Sequence, residues 1–338
     1  MPDKSRQCKL VAADAAPGEV TALVPVCEVR GLTKTYRSTG VVANRNIDLA
    51  VRPGEIVGVF GPNGAGKTTL VRQIMGLLRP SAGSISLCGR DIVAHPQEAP
   101  RYAAYLPQRV PLFASHRVLD VLVAAGALRG MPSRDAVRRA EALLERFGLA
   151  PRARSLMLRC SGGERQLALF LSAFMGGRPL VILDEPTSHL DPVRRTLAWE
   201  FLREQAQEGV AVMLVTHNVS EADQVVDRVV IIDQGTVVAD ATPGELKRRV
   251  SEQVEIRLTL KPGATLPPDR GVPASHITGQ RWLIRVRPEE CPRVLSALME
   301  TPGLSQIDDF SVTGTSMDTV YEALTGKWWD GRHEQRTG

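Results

Sequence analysis

A chain of 338 residues has room for one large domain and a small one, and its 43% hydrophobic content is that of an ordinary core-forming globular protein. The longest apolar stretch, Val118 to Leu128, is interrupted by Asp120, far short of the roughly 20 apolar residues a membrane span needs. The net charge of +5 is dispersed: Arg138-Arg139 and Lys247-Arg248-Arg249 fall in helix-like sequence as solvated faces, so no basic patch points to nucleic acid or an anionic membrane. Asp3, Lys4, Arg6 and Lys9 are not followed by an apolar signal core, which makes the cytosol the expected compartment. The five cysteines, Cys8, Cys27, Cys88, Cys160 and Cys291, lack paired spacing and argue against a zinc site or a disulfide framework.

Residues 1–26 are rich in Ala, Pro and charge without periodicity and read as a disordered or loosely attached tail. From Cys27 the pattern becomes β-like, with Val29, Val41-Val42 and Ile47, Leu49 and Val51 ahead of a turn at Arg52-Pro53-Gly54. Tyr36 precedes the turn-rich Arg37-Ser38-Thr39-Gly40, where its ring either stacks on a base or packs as a surface tyrosine. The apolar run Glu55 to Phe60 then leads into Gly61-Pro62-Asn63-Gly64-Ala65-Gly66-Lys67-Thr68, and Leu70, Val71, Ile74, Leu77 and Leu78 follow at helical spacing. Strand, glycine-rich turn and helix in this order aim successive backbone N–H groups and a helix N-terminus at one anion, the requirement of a phosphate-binding loop. Lys67 supplies a point charge for the β and γ phosphates, and the Thr68 hydroxyl a ligand for Mg²⁺.

Gly83 to Gly89 alternates like a strand, and Tyr105-Leu106-Pro107-Gln108 is a short apolar segment whose proline makes Gln108 the start of a loop. Val118 to Phe147 reads as helical, with Pro132-Ser133 as a helix start and Gly148 as a stop. Cys160-Ser161-Gly162-Gly163-Glu164-Arg165-Gln166 opens another helix, Leu167 to Phe174, and offers a second anion-facing N-terminus. Leu180-Val181-Ile182-Leu183 is an apolar strand ending in Asp184-Glu185, at the end of a parallel sheet where ligands bind. There Asp184 can hold Mg²⁺, directly or through water, and Glu185 can orient and deprotonate an attacking water, a use that the preceding Lys67 and Thr68 favour over two solvated acids. Val210 to Val215 runs likewise into Thr216-His217-Asn218.

These segments, in this order over residues 27–249, resemble the nucleotide-binding domain of ATP-binding cassette (ABC) proteins. Gly61 to Thr69 is similar to the Walker A loop, Gln108 to the Q-loop and Ser161-Gly162-Gly163-Glu164 to the family signature. Leu180 to Glu185 resembles the Walker B strand, Ser188-His189-Leu190-Asp191 the D-loop, His217 the switch histidine and Tyr36 the adenine-stacking aromatic. The resemblance implies an α/β P-loop fold with a helical subdomain at about 109–165. It also implies ATP with Mg²⁺ as the bound species, with Gln108 sensing the metal, His217 contacting the γ-phosphate and Glu185 as general base. A head-to-tail pair of cassettes follows, as a homodimer or with a second ABC subunit, each ATP lying between one Walker A loop and the other chain's Ser161 and Gly163. Cys160 in place of a leucine and Ala241 in place of a glycine depart from the family pattern without removing a catalytic group.

Residues 250–326 read as a small α+β unit: strands at 253–260, 281–286 and 307–312, and helices at 292–299 and 317–324. Residues 327–338 form a tail in which Trp328-Trp329 either dock on a partner or on lipid headgroups or belong to a packed or frayed end. The segment Ser316 to Gly326 is similar to the C-terminal extension of drug- and polysaccharide-type exporter ATPases. The resulting expectation is an ATP-hydrolysing subunit on the cytoplasmic face of the membrane, driving a separately encoded permease, with no nucleic acid and no direct contact with cargo. The alternatives are an importer subunit, a cassette ATPase acting on DNA or ribosomes, and a nucleotide-regulated module without turnover.

Overall fold

The computed structural model describes residues 24–108, 113–216, 219–250, 253–264, 274–299 and 303–325. His217, most of the N-terminal tail and Trp328-Trp329 lie outside them. The chain divides into two compact units, one ending at Asp240 and one beginning at Ala241.

In the first unit the strands are β1 (Cys27–Thr35), β2 (Val42–Val51), β3 (Ile56–Phe60), β4 (Ala82–Leu87), β5 (Arg90–Asp91), β6 (Ala103–Leu106), β7 (Leu180–Asp184), β8 (Ala211–Val215), β9 (Arg228–Asp233) and β10 (Thr236–Ala241). They form two sheets, ordered β2-β1-β4-β5 and β10-β9-β3-β8-β7-β6. The first is antiparallel. In the second, β3 runs parallel to β8 and β9, and β7 parallel to β8 and β6. Every residue of β3, β7 and β8 is buried, which is why these strands read as uninterrupted apolar runs. A single core, including Leu32, Ile47, Val57, Leu70, Ile85 and Val215, joins the two sheets.

Helix α1 (Lys67–Ile74) follows β3 directly. The helical stretch expected over Val118 to Phe147 is two helices, α2 (Val118–Leu128) and α3 (Ser133–Arg146), parted where Gly130 adopts φ 89° and Pro132 removes a backbone donor. Helix α4 (Gly162–Ala173) and helix α5 (Pro192–Gln207) meet the end of α3 through edge-on contacts among Phe147, Phe170 and Phe201. Helix α5 and the β9–β10 hairpin were not read in the sequence. Cys27, Cys160 and Cys291 are free thiols.

The second unit carries α6 (Pro243–Val250), β11 (Val254–Leu260), β12 (Ala274–Thr278), β13 (Arg281–Val286), α7 (Cys291–Met299), β14 (Ile307–Gly314) and α8 (Met317–Thr325). Its antiparallel sheet has the order β12-β13-β11-β14. Strict alternation sends Ile256 and Leu258 inward onto Ile284, Val286 and Val294 of α7. Glu255, on the other face and 4% exposed, pairs with Arg257 and Arg285 at 3.1 Å each. Residues 241–249, expected with the cassette, group with this unit, where α6 packs on α8.

Candidate nucleotide site

Parallel pairing brings the carboxyl ends of four strands to one edge: β3 opens into the glycine-rich loop, β6 precedes Gln108, β7 ends at Asp184 and β8 leads to Thr216. Asp184 is level with Val215, and Leu106 with Leu183. This edge is where ligands bind in open parallel sheets.

The loop leaves no room for side chains at its two ends. A Cβ on Gly61 would stand 2.1 Å from the Ile232 carbonyl oxygen, and one on Gly66, where φ is 104°, would stand 2.1 Å from the Ala43 oxygen. Gly66→Ala is expected to destabilise the chain by about 2–4 kcal/mol through overpacking and left-handed strain, and to abolish nucleotide binding, as read by denaturant melts and equilibrium binding. Fully buried Asn44 braces the loop: its amide donates to the Gly66 carbonyl at 3.1 Å, and its oxygen accepts from Gln73 at 2.8 Å. Between these ends, Pro62 is half-buried, Asn63 and Gly64 are exposed and Ala65 is buried.

Lys67 folds its ammonium back on the loop, donating to the Gly61 oxygen at 2.6 Å and the Pro62 oxygen at 2.9 Å. Burial lowers its pKa, while the carboxylates of Glu185 and Asp184 work against that shift. Thr68 is exposed at the start of α1 and hydrogen-bonds Asp184, whose Oδ2 also accepts from the Tyr105 hydroxyl at 3.4 Å. Burial, then the charge of Glu185, push Asp184 up to about 6, against the pull of Lys67, Tyr105 and Thr68. The folded chain therefore holds this proton more tightly than the unfolded chain, and the group's contribution to stability is lost as pH rises from the ordinary carboxylate range through about 6. Asp184→Asn is accordingly expected to raise the stability of the nucleotide-free chain by about 1–2 kcal/mol near pH 7.5 while removing Mg²⁺-dependent turnover. Thermal melts and phosphate release check the two halves.

A hydroxyl, a carboxylate and the Gln108 amide suit a hard cation such as Mg²⁺. No group of three or more His, Cys, Asp or Glu able to hold a metal occurs among the described residues. Gln108 is exposed just beyond β6. Half-buried Tyr36 places its hydroxyl 3.4 Å from that of Thr69, with the Lys34 ammonium 5.6 Å from its ring centre.

Glu185 occupies the left-handed region at φ 53° and is 8% exposed. Its N–H donates to the Val215 oxygen at 2.8 Å, and its Oε2 accepts from the Thr216 hydroxyl at 3.1 Å. Gln166 of α4 donates to the carbonyls of Glu185 and Pro186, each at 3.1 Å.

Ser161, Gly162, Gly163 and Glu164 form a second cluster at the start of α4. The Ser161 hydroxyl accepts from the Glu164 N–H at 3.2 Å, and the Glu164 carboxylate accepts from the Ser161 N–H at 2.8 Å, a reciprocal cap. That carboxylate also pairs with Arg152 at 3.1 Å. Its pKa is lowered first by the Ser161 N–H bond and then by Arg152, against a desolvation effect. Glu164, expected on the nucleotide, is therefore engaged in helix capping. Gly163 lies against the D-loop, where a Cβ would stand 2.8 Å from the His189 oxygen. Ser161→Ala is expected to cost about 1 kcal/mol of stability, with Ser161→Thr recovering most of it in a denaturant titration.

The structure thus gathers Lys67, Thr68, Asp184 and Glu185, with Tyr36 beside Thr69, and sets the signature residues apart at their own helix terminus. Sequence reading missed Gln166, Thr216, Tyr105 and Asn44. For the first three the one available signal was adjacency to a motif or to a strand's carboxyl end.

A glycine-cradled lysine, a Thr–Asp pair and a following glutamate on parallel strands define a P-loop ATPase, and the capped signature helix defines its cassette type. A family profile described as ABC transporter matches residues 44–188. The chain is 32% identical over 317 residues, 90% of its length and 94% of the relative, to the daunorubicin/doxorubicin resistance ATP-binding protein DrrA of Streptomyces peucetius. It is 37% identical over 313 residues, 91% of its length and 93% of the relative, to the Nod factor export ATP-binding protein I of Cupriavidus pinatubonensis. A solved ATP-binding subunit of an ABC transporter superposes with a TM-score of 0.62 at 31% identity, covering 66% of this chain and 92% of that one. The chain belongs to the ABC transporter family, as one of its ATP-hydrolysing, ATP-binding proteins.

Proposed function

We propose that this chain is the ATPase subunit of an exporter, working on the cytoplasmic face of the membrane against a separately encoded permease. The observation that carries this reading is the 37% identity to a Nod factor export ATP-binding protein over 91% of the chain, beyond the cassette and into the second unit, beside a drug-resistance ATP-binding protein matched over 90% of it. In keeping with it, no helix among the described residues is long and apolar enough to cross a membrane.

In the proposed cycle, Gly61 to Thr69 wrap the phosphates with backbone N–H groups and Lys67 moves its ammonium from loop carbonyls to the β and γ phosphates. Bound Mg²⁺, held by Thr68, Asp184 and Gln108, would supply charge neutralisation on the phosphate oxygens. Glu185 takes the proton of the attacking water, His217 contacts the γ-phosphate and Tyr36 stacks on adenine. Ser161 and Gly163 of a second cassette, from another copy or a paired ABC subunit, close over the same phosphates. Loss of the γ-phosphate charge removes what holds the two helix N-termini together, so ATP favours closure and hydrolysis favours opening. Cargo is met by the permease, and nucleic acid has no part.

Purification of the tagged chain from native membranes tests the proposal. The expected result is copurification of a multispanning protein and phosphate release stimulated by that partner, with cargo moving outward in vesicles. Cargo moving inward would make the complex an importer, and ATP-dependent association with ribosomes or DNA in place of a membrane partner would overturn the reading.

A further inference from the structure

Glu185 is held at every polar point of its backbone and at one oxygen of its carboxylate, by groups from two other elements. Its N–H is fixed by β8 through Val215. Its carbonyl accepts from Gln166, which reaches across from α4 and bonds the Pro186 carbonyl with the same amide nitrogen. The Thr216 hydroxyl, 4% exposed at the end of β8, donates to carboxylate Oε2 at 3.1 Å. The left-handed backbone at Glu185, φ 53°, is one that residues with a Cβ avoid, so it persists only where the surroundings fix it. A hydroxyl against a nearly buried carboxylate likewise selects one rotamer of a side chain that otherwise has several.

We propose that Gln166 and Thr216 are positioning residues for Glu185, Gln166 setting the backbone from which the carboxylate projects and Thr216 the direction in which it points. The proposal rests on the reading of Glu185 as the base that activates water. It gives the signature helix a mechanical link to the base of its own chain. The reciprocal cap fixes where α4 begins, Gln166 stands on that helix just beyond Glu164, and the close approach of Gly163 to the His189 oxygen ties the same helix end to the loop after Glu185. A shift of the α4 N-terminus therefore moves the carbonyl of Glu185. The hydrogen bonds of both side chains run to Glu185 and the residue after it, so the expected effect of losing them falls on turnover.

The test compares Thr216→Val, which keeps shape and removes the donor, with Thr216→Ser, which keeps the donor, and adds Gln166→Met. Three readouts are taken on the full chain: kcat and KM for ATP, equilibrium binding of a fluorescent ATP analogue, and melting temperature. Misplacing a reacting group by about 1 Å costs on the order of 100-fold, so Thr216→Val and Gln166→Met are each expected to lower kcat by about 10- to 100-fold. KM and analogue affinity stay near the native values, and Thr216→Ser restores kcat to near the native rate. In a Glu185→Gln background neither substitution lowers the residual rate further, because the group they position is gone.

Native kcat in both Thr216→Val and Gln166→Met would overturn the proposal while leaving Glu185 as base. Loss of analogue binding in parallel with kcat would overturn it too, by showing a general structural role. Normal turnover in Glu185→Gln would instead overturn the reading beneath it. Gln166 is half-buried at the surface of its helix, so Gln166→Met decides the matter should Thr216→Val fail to fold.

Discussion

Glu185→Gln is expected to bind ATP with Mg²⁺ and to release phosphate about 10²- to 10⁴-fold more slowly than the native chain, the usual contribution of a general base. The substitution preserves volume, and the amide oxygen still accepts from Thr216, so the packing that holds residue 185 is undisturbed. What disappears is the ability to take a proton from water. The groups proposed to contact phosphate, Lys67 and the loop N–H groups, lie between the end of β3 and the start of α1 and are not replaced. Steady-state phosphate release and equilibrium nucleotide binding, measured on one preparation, separate the two effects. Loss of both together would mean that Glu185 serves the site's structure.

Lys67→Met is expected to show the opposite pattern, with ATP affinity falling by about 10- to 100-fold because a charge-assisted contact to phosphate is worth roughly 1.5–3 kcal/mol. The fold itself should hold. Lys67 is 9% exposed and its pKa is lowered by burial, so its cation is carried in the folded chain at a cost that an apolar side chain does not incur. The unfolded chain keeps that proton more tightly, which means that the native chain gains stability from this group as pH rises towards the ordinary lysine range, a dependence the variant lacks. Melting of Lys67→Met without nucleotide should equal or exceed that of the native chain, and a given concentration of Mg²⁺-ATP should raise it less than it raises the native chain's. A nucleotide-free variant that melts far below the native chain would contradict this account.

What could be read from the sequence was whatever is built from neighbours along the chain. The phosphate loop is a local run of glycines between a strand and a helix, and Asp184-Glu185 simply ends an apolar strand, so both were visible without knowing the sheet order. The contacts that arm Glu185 were not visible, because they close over long loops: Thr216 is 31 residues away and Gln166 is 19 residues away in sequence. Asn44 carried no signal either, since a buried asparagine in β2 is explained only by the carbonyl of Gly66 and the amide of Gln73. Glu164 was assigned to nucleotide by its place in the signature, whereas the same spacing from Ser161 is a capping box and the carboxylate is used there. In the second unit, the alternation of β11 was plain, but β12 is short and exposed along most of its length and has little apolar pattern to show.

The sharing of one ATP between two cassettes is tested most directly by the solution mass of Glu185→Gln in Mg²⁺-ATP and in Mg²⁺-ADP, measured by light scattering at matched concentration. A mass of two chains with ATP that returns to one chain with ADP is the predicted result. A single chain under both conditions, with ATP bound, would contradict it.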